Sequence, residues 1–207
     1  PTGRHCPRSA PALGRDLAGR GVGRDGIEAE PGQPVPVGEG MPPARHEQGL
    51  VAEHVGDTAL AKRVEQIAAH TYDLTELLID VLGTEDVGAY FPHTVTYHPT
   101  CHSLRMLRVG DRPLQLLRAV RGIDLRELPG AQECCGFGGT FAVKNADVSA
   151  AMGQDKAAHT VASGAEVLVA GDSSCLMQIG GILSRQGSPV RTMHLAEVLA
   201  ATEEVPA

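Results

Sequence analysis

The sequence has no tryptophan, and aromatic residues make up only 3% of its 207 positions. Apolar residues account for 42% of the chain, so a hydrophobic core is possible, but it must be built from leucine, valine, isoleucine and alanine. Basic residues are not in excess either. The formal net charge of −7 argues against nucleic acid as the main partner, because phosphate binding requires a basic surface.

Long apolar runs are missing as well. No segment approaches the roughly 20 apolar residues needed to cross a bilayer, and the first 45 residues lack the apolar stretch of a signal peptide. We therefore expect a cytoplasmic protein without a membrane span. In a reducing compartment, the five cysteines indicate metal binding or catalysis more than structural disulfides.

The first 45 residues differ in composition from the rest of the chain. They hold 8 of the 14 prolines and show no helical or strand period. Two interpretations stay open. The segment could be a disordered tail, or the translation of a GC-rich gene in the wrong reading frame. The predicted organisation is a disordered or non-native-frame segment over 1–45, a helical segment over 46–90 and a folded domain over 91–207, which holds four of the five cysteines.

The fold class predicted for this last domain is α/β. Short β-branched runs alternate there with helical stretches, which indicates a parallel sheet of about four strands flanked by helices. The predicted strands are Thr94–His98, Asp124–Leu128, Glu166–Ala170 and Val190–Met193.

Helices are predicted around these strands and before them. One runs from about Thr58 to His70 and a second from Asp73 to Gly83. A long helix follows the cap residue Asn145 and ends near Ala162. The side chains expected to share a face are Leu60, Val64 and Ile67 in the first helix, Leu74, Leu77, Leu78 and Val81 in the second, and Val148, Ala151, Met152, Lys156 and His159 in the long one.

Four cysteines follow predicted strands. Cys101 comes after the strand that ends at His98, the pair Cys134–Cys135 after the second strand, and Cys175 after the third. Because parallel strands end at one edge of a sheet, where such folds place their ligands, these four thiols are expected to meet. Cys6 lies in the first 45 residues and is left out of the site.

Two features near the cysteines favour an anionic cofactor. A helix is predicted to begin near Cys175, so its free amide groups and positive dipole end face the site. The segment after the cysteine pair contains Gly136, Gly138 and Gly139. These glycines are predicted to bind the cofactor, since their backbone can approach a bulky inorganic core without a side-chain clash.

Other interpretations of the thiols stay open. They could be separate buried cysteines, a strained disulfide between Cys134 and Cys135, or a tetrahedral zinc site. Structural zinc sites usually use close Cys-x-x-Cys pairs, which are missing here, whereas adjacent thiolates suit a core of several irons. His98 and His102 could be ligands or hydrogen-bond donors to sulfur, and Gln178 lies one helical turn beyond Cys175.

Three motifs carry a resemblance to a known family. They are His98-Pro99-Thr100-Cys101-His102-Ser103, Cys134-Cys135-Gly136-Phe137-Gly138-Gly139-Thr140-Phe141 and Gly171-Asp172-Ser173-Ser174-Cys175-Leu176-Met177-Gln178. Together they resemble the CCG cysteine-rich domain family, in the branch of lactate utilisation protein A. The resemblance implies the ligand set Cys101, Cys134, Cys135 and Cys175. It also implies a cytosolic complex that oxidises L-lactate to pyruvate together with other subunits.

The sequence departs from the family pattern at two places. The family usually has two such domains, and the first half of that pattern is missing or replaced by Pro1–Arg45. Members with a non-cubane cluster have a fifth cysteine where Gln178 stands, so four thiolates indicate an ordinary [4Fe–4S] cluster. The alternatives are an iron–sulfur subunit of a glycolate- or glycerol-phosphate-oxidising system, a zinc-stabilised binding module, or a truncated copy without function.

Overall fold

The computed structural model describes residues 58–205, apart from Ala69. The expectations for residues 1–45, for Cys6 and for the boundary at residue 45 lie outside these residues. The boundary at residue 90 lies within them and stays a prediction.

The described chain is a succession of short helices and strands. The helices are α1 (Thr58–Ala68), α2 (Leu74–Glu76, continuing as a π-helical turn over Leu77–Val81), α3 (Arg112–Ala119), α4 (Thr140–Lys144), α5 (Ala146–Ala162), α6 (Ser173–Arg185) and α7 (Leu195–Ala200). The strands are β1 (Thr94–His98), β2 (Asp124–Arg126), β3 (Val167–Ala170) and β4 (Arg191–His194). A second π-helical turn, His102–Leu107, follows β1.

The four strands form one sheet in the order β2-β1-β3-β4, and every neighbouring pair is parallel. The α/β prediction is therefore confirmed, and the strand positions are right to within one or two residues at each end. The two central strands, β1 and β3, are almost fully buried. Their run of apolar and β-branched residues is typical of a parallel strand covered on both faces.

Helices cover both faces of the sheet, and the alternation of side chains along each strand divides the core in two. On one face, Val95, Val167 and Val169 pack with residues of α3 and α7. On the other face, Leu168 packs with Ile179 and Leu183 of α6, together with Cys135 and Cys175. His98 is paired with Ala170 in the sheet register and shares the face of Thr96 and Leu168. The strand alternation thus places His98 on the cysteine side.

The predicted apolar faces of the first two helices are only partly correct. In α1, Leu60 and Ile67 are 38% and 62% exposed, whereas Ala68 is buried. In α2, Leu74 is 38% exposed, while Leu78 packs against the core. The expectation that Leu74 points inward is therefore wrong. Asp73 begins this helix as a cap, accepting hydrogen bonds from the amide and hydroxyl of Thr75.

The expected face of the long helix is wrong in part. The range 146–162 agrees with the prediction, but Val148 is 54% exposed, and the side chain of Asn145 makes no capping hydrogen bond. Small and polar residues are buried in α5 instead, because the helix packs closely on α6. They are Ser149, Gly153, Lys156, Ala157 and Thr160.

No helix in the described range, 58–205, combines the length and apolar character required to pass through a membrane.

Candidate metal centre

Each of the four cysteines lies just beyond the carboxyl end of a strand. Cys101 follows β1 and begins the π-helical turn, a type of turn that is frequent at functional sites. Cys134 and Cys135 lie in the loop between β2 and α4, and Cys175 lies in the first turn of α6. All four are free thiols, so the strained disulfide between Cys134 and Cys135 is not formed.

Cys135 and Cys175 form the buried part of the site. Their sulfur atoms are 3.2 Å apart, although the residues are 40 positions apart in sequence. The exposed fraction is 1% for Cys135 and 4% for Cys175. A nitrogen of His98 and these two sulfurs all lie within 4.8 Å of one another. This spacing would allow the three side chains to ligate one metal ion.

Cys101 and Cys134 form the more open part of the site, and both are half-buried. Burial raises the pKa of the Cys101 thiol, and so does its neighbour Cys134, with which it shares a hydrogen bond. Cys135 acts on Cys101 in the same direction. These effects on the pKa of Cys101 place it near Cys134 and Cys135, which favours one group of thiols over four separate buried cysteines.

The contact between Cys135 and Cys175 shifts the pKa values of the two thiols in opposite directions. The hydrogen bond between the two thiols, and to a smaller extent the nearby His98, lowers the pKa of Cys135 despite its burial. The same hydrogen bond, followed by burial, raises the pKa of Cys175. One thiolate is thus already favoured at neutral pH, and the thiolate is the form that binds metal.

Main-chain amides surround the sulfurs. The amide of Gly136 donates to the Cys134 sulfur at 3.4 Å. Amides of Phe137 and His102 favour the thiolate forms of Cys135 and Cys101, respectively. Hydrogen bonds of this kind stabilise negative charge on sulfur and raise the reduction potential of a bound cluster.

Asp172 fixes the start of the helix that carries Cys175. Its carboxylate accepts a hydrogen bond from the Ser174 amide at 2.8 Å and one from the Ser174 hydroxyl at 2.6 Å. Burial acts to raise the pKa of Asp172, but these hydrogen bonds outweigh it and the pKa lies below its ordinary value. The expected start near Cys175 is confirmed, with the cap three residues earlier.

The glycine segment has a packing role that the sequence did not reveal. Gly136 has φ of +84°, and a Cβ there would stand 2.4 Å from the carbonyl oxygen of Ser149 in α5. Gly138 and Gly139 also have positive φ, but a Cβ on Gly139 would meet nothing within 4 Å. The loop therefore needs glycine at 136 to lie against α5. Cofactor contact by Gly136, Gly138 and Gly139 stays a prediction.

Lys156 lies near the cysteines, although the helical periodicity of the sequence predicted only that it shares a face of the long helix. It is 1% exposed, and its amine donates to the carbonyl oxygens of Gly130 and Ala131, in the loop that leads to the cysteine pair. Burial lowers its pKa, while Glu133 and the cysteines Cys135, Cys134 and Cys175 oppose that shift. Nothing in the periodicity distinguishes such a lysine from a solvated one.

The three polar residues near the cysteines have different positions. His98 is fully buried, and neither ring nitrogen makes a hydrogen bond of normal geometry. The side chain of His102 is exposed. The amide nitrogen of Gln178 lies 3.2 Å from the Ser149 hydroxyl and donates to it, so this side chain is engaged with α5.

The donor set fits a thiophilic metal or an iron–sulfur group. The sulfurs of Cys135 and Cys175 are in contact, Cys101 and Cys134 are neighbours, and a buried imidazole lies beside the first pair. The pKa of the Cys135 thiol is lowered, which favours its metal-binding form. Thiolate ligands select zinc, copper(I) and iron–sulfur clusters over hard cations. The arrangement therefore supports metal binding at this sheet edge.

Comparison with known proteins agrees with this site. The family model described as "Cysteine-rich domain", CCG, matches residues 95–180, which include all four thiols. The match starts within β1 and ends within α6, so the residues that resemble the CCG family include β2, β3 and most of β1.

Several relatives match a longer part of the chain than the family model does. Lactate utilization protein A of Lysinibacillus sphaericus (strain C3-41) is 46% identical over 144 residues, which are 70% of this chain and 63% of the relative. The protein of the same name from Bacillus velezensis is 48% identical over 143 residues, 69% of this chain and 60% of the relative. The Geobacillus kaustophilus protein is 47% identical over 146 residues, with shares of 70% and 61%. The chain spans about three fifths of the length of these relatives.

Proposed function

We propose that the chain is the iron–sulfur electron-transfer subunit of a cytosolic complex that oxidises L-lactate to pyruvate. The observation that carries the proposal is the meeting of four free thiols, from three strand ends, in a CCG domain. The relatives called Lactate utilization protein A support the choice of lactate. The thiolate favoured at Cys135 supports a cofactor that needs deprotonated sulfur ligands.

The proposed ligands are Cys101, Cys134, Cys135 and Cys175, and the proposed group is a [4Fe–4S] cluster. Such a cluster, when bound, accepts and releases one electron at a time. The residues around it would hold its charge: the amides of Gly136 and Phe137 donate to sulfur, and the amino end of α6 faces the same edge. Gln178 is bonded to Ser149, which supports four thiolate ligands rather than five side chains.

The division of labour within the complex follows from the chemistry of lactate. Its oxidation to pyruvate releases two electrons and two protons, and the sequence carries no flavin fingerprint. A partner subunit would therefore remove the electrons from lactate, and this chain would pass them on singly. The electrons would leave through the half-buried side of the site, at Cys101 and Cys134, where the cofactor lies nearest to the surface.

Reconstitution with iron and sulfide tests the cofactor. The chain should gain absorbance near 400 nm and bind about four irons, as expected for a [4Fe–4S] cluster. Serine at Cys101, Cys134, Cys135 or Cys175 should abolish this uptake, whereas Cys6→Ser should not change it. Fewer than two irons per chain without that absorbance would contradict the proposal.

A growth test addresses the substrate. Deletion of the gene should impair growth on L-lactate, and a defect on glycolate or glycerol phosphate alone would favour the other oxidation systems. The second candidate for the metal is zinc, favoured by one observation: His98, Cys135 and Cys175 are spaced within 4.8 Å, as in a mononuclear site. One zinc and no iron in the purified protein would establish it.

A further inference from the structure

His98 is the buried polar side chain that the site leaves unexplained. It stands at the end of β1 and is 0% exposed, and neither of its ring nitrogens makes a hydrogen bond of normal geometry in the described part of the chain, although the ring lies near enough to Cys135 to lower the pKa of that thiol. Buried polar atoms in folded proteins are nearly always paired, so an unpaired pair of nitrogens calls for a partner that binds there.

The position of His98 directs its ring at the cysteines. Its register partner in β3 is Ala170, whose small side chain leaves room beside the ring on the cysteine face. A ring nitrogen lies within 4.8 Å of the sulfurs of both Cys135 and Cys175. The pairing of His98 with Ala170 in the register of β1 and β3 fixes the backbone at this position.

The other donors near the sulfurs are main-chain amides. Cys134 receives the amide of Gly136, and the amides of Phe137 and His102 act on Cys135 and Cys101. Cys175 receives none of these, and its sulfur is turned towards Cys135 and the ring of His98. The ring of His98 therefore stands on the buried side of the site, beside Cys135 and Cys175, where it can supply a side-chain N–H to sulfur.

We propose that His98 is a positioning residue of the centre, whose ring N–H donates to sulfur on the buried side, beside Cys135 and Cys175, when the cluster is bound. This inference rests on the proposed iron–sulfur function. Four thiolates already supply one ligand for each of four irons, so the imidazole is a hydrogen-bond donor and not a fifth ligand. A donor to sulfur stabilises the reduced, more negative state and so raises the reduction potential.

The first test compares reduction potentials of reconstituted chains. His98→Leu removes both nitrogens, His98→Gln keeps an N–H donor, and the control His93→Leu changes a histidine before the amino end of β1, at the edge of the sheet opposite the cysteines. We expect full iron content in all three, a lower midpoint potential in His98→Leu, partial recovery in His98→Gln and no change in His93→Leu. An unchanged potential in His98→Leu, or loss of its iron, would overturn the proposal.

The second test needs no metal. In the metal-free chain neither ring nitrogen of His98 makes a hydrogen bond of normal geometry, so His98→Leu should leave the unfolding temperature of that chain nearly unchanged. A histidine that serves only the fold would instead lower the unfolding temperature strongly when replaced, and that result would refute the inference. Failure of the unaltered chain to take up iron would instead contradict the proposed function, so the two failures are distinguishable.

Discussion

The amine of Lys156 in α5 donates a hydrogen bond to the carbonyl oxygen of Gly130, 26 positions earlier in the chain. This bond ties the long helix to the loop that carries Cys134 and Cys135. The lysine is 1% exposed, so its charge acts inside the protein, beside three of the thiols. One side chain thus connects the stability of the fold with the electrostatics of the site.

Lys156→Met should destabilise the metal-free chain by about 2 kcal/mol, because it leaves the Gly130 carbonyl without its donor. Urea unfolding followed by circular dichroism measures this change. Lys144→Met is the matched control, since Lys144 is exposed on α4, and it should change the free energy of unfolding by less than about 0.5 kcal/mol. Equal effects of the two substitutions would contradict the buried role of Lys156.

Gly136→Ala should be far more damaging than Gly139→Ala. Both glycines have positive φ, but only at position 136 would the added Cβ stand 2.4 Å from a main-chain oxygen. Backbone strain alone costs about 1 kcal/mol, and the clash should bring the total at Gly136 to about 3 kcal/mol or more. Thermal unfolding of the two variants measures the difference. Similar losses would show that the loop can move away from α5.

Asp172→Ala should impair both stability and metal uptake. Loss of the cap costs about 1 kcal/mol and frees the first turn of α6, which positions Cys175. Asp73→Ala is a matched control, because Asp73 caps α2 through the same two hydrogen bonds, from the amide and hydroxyl two residues on. Its stability loss should be similar, with iron uptake unchanged. If iron uptake declined equally in Asp172→Ala and Asp73→Ala, loss of stability alone would explain the decline, and the specific role of Asp172 at the site would be contradicted.

The thiol pair should make the stability of the metal-free chain pH-dependent. Hydrogen bonding holds the pKa of Cys135 below its unfolded value, so the folded state binds fewer protons between those two values and stability rises with pH there. The contribution of Cys135 is lost as pH falls through the folded pKa. Cys175 has the opposite shift in pKa, so its contribution is lost as pH rises above the ordinary thiol value.

Urea unfolding between pH 5 and pH 8 measures this dependence. The free energy of unfolding should increase with pH in the unaltered chain, because Cys135 is a thiolate only in the folded state over this range. Cys135→Ser should flatten the slope. A slope that survives in Cys135→Ser would assign the effect to another group.

The sequence by itself determined the fold class and the edge of the sheet at which the cysteines lie. Strands such as Thr94–His98 are visible as β-branched runs, and parallel strands must end at one edge, so the sequence alone predicts a contact such as that of Cys135 with Cys175. These inferences depend on local periodicity and on a topological rule. Neither requires knowledge of individual contacts.

The tertiary structure decided what surrounds the thiols. The pattern placed Val148 on the same helix face as Lys156, whereas the close packing of α5 on α6 buries Gly153 and Lys156 and leaves Val148 exposed. The sequence also offered His98 and His102 as equals, and the alternation of β1 placed only His98 beside Cys135 and Cys175. Periodicity shows that a residue shares a face, but burial depends on the element that packs against that face. For that reason the sequence was enough to select the four thiols as candidates, while the contacts of Lys156, Gly136 and His98 became visible only in the folded chain.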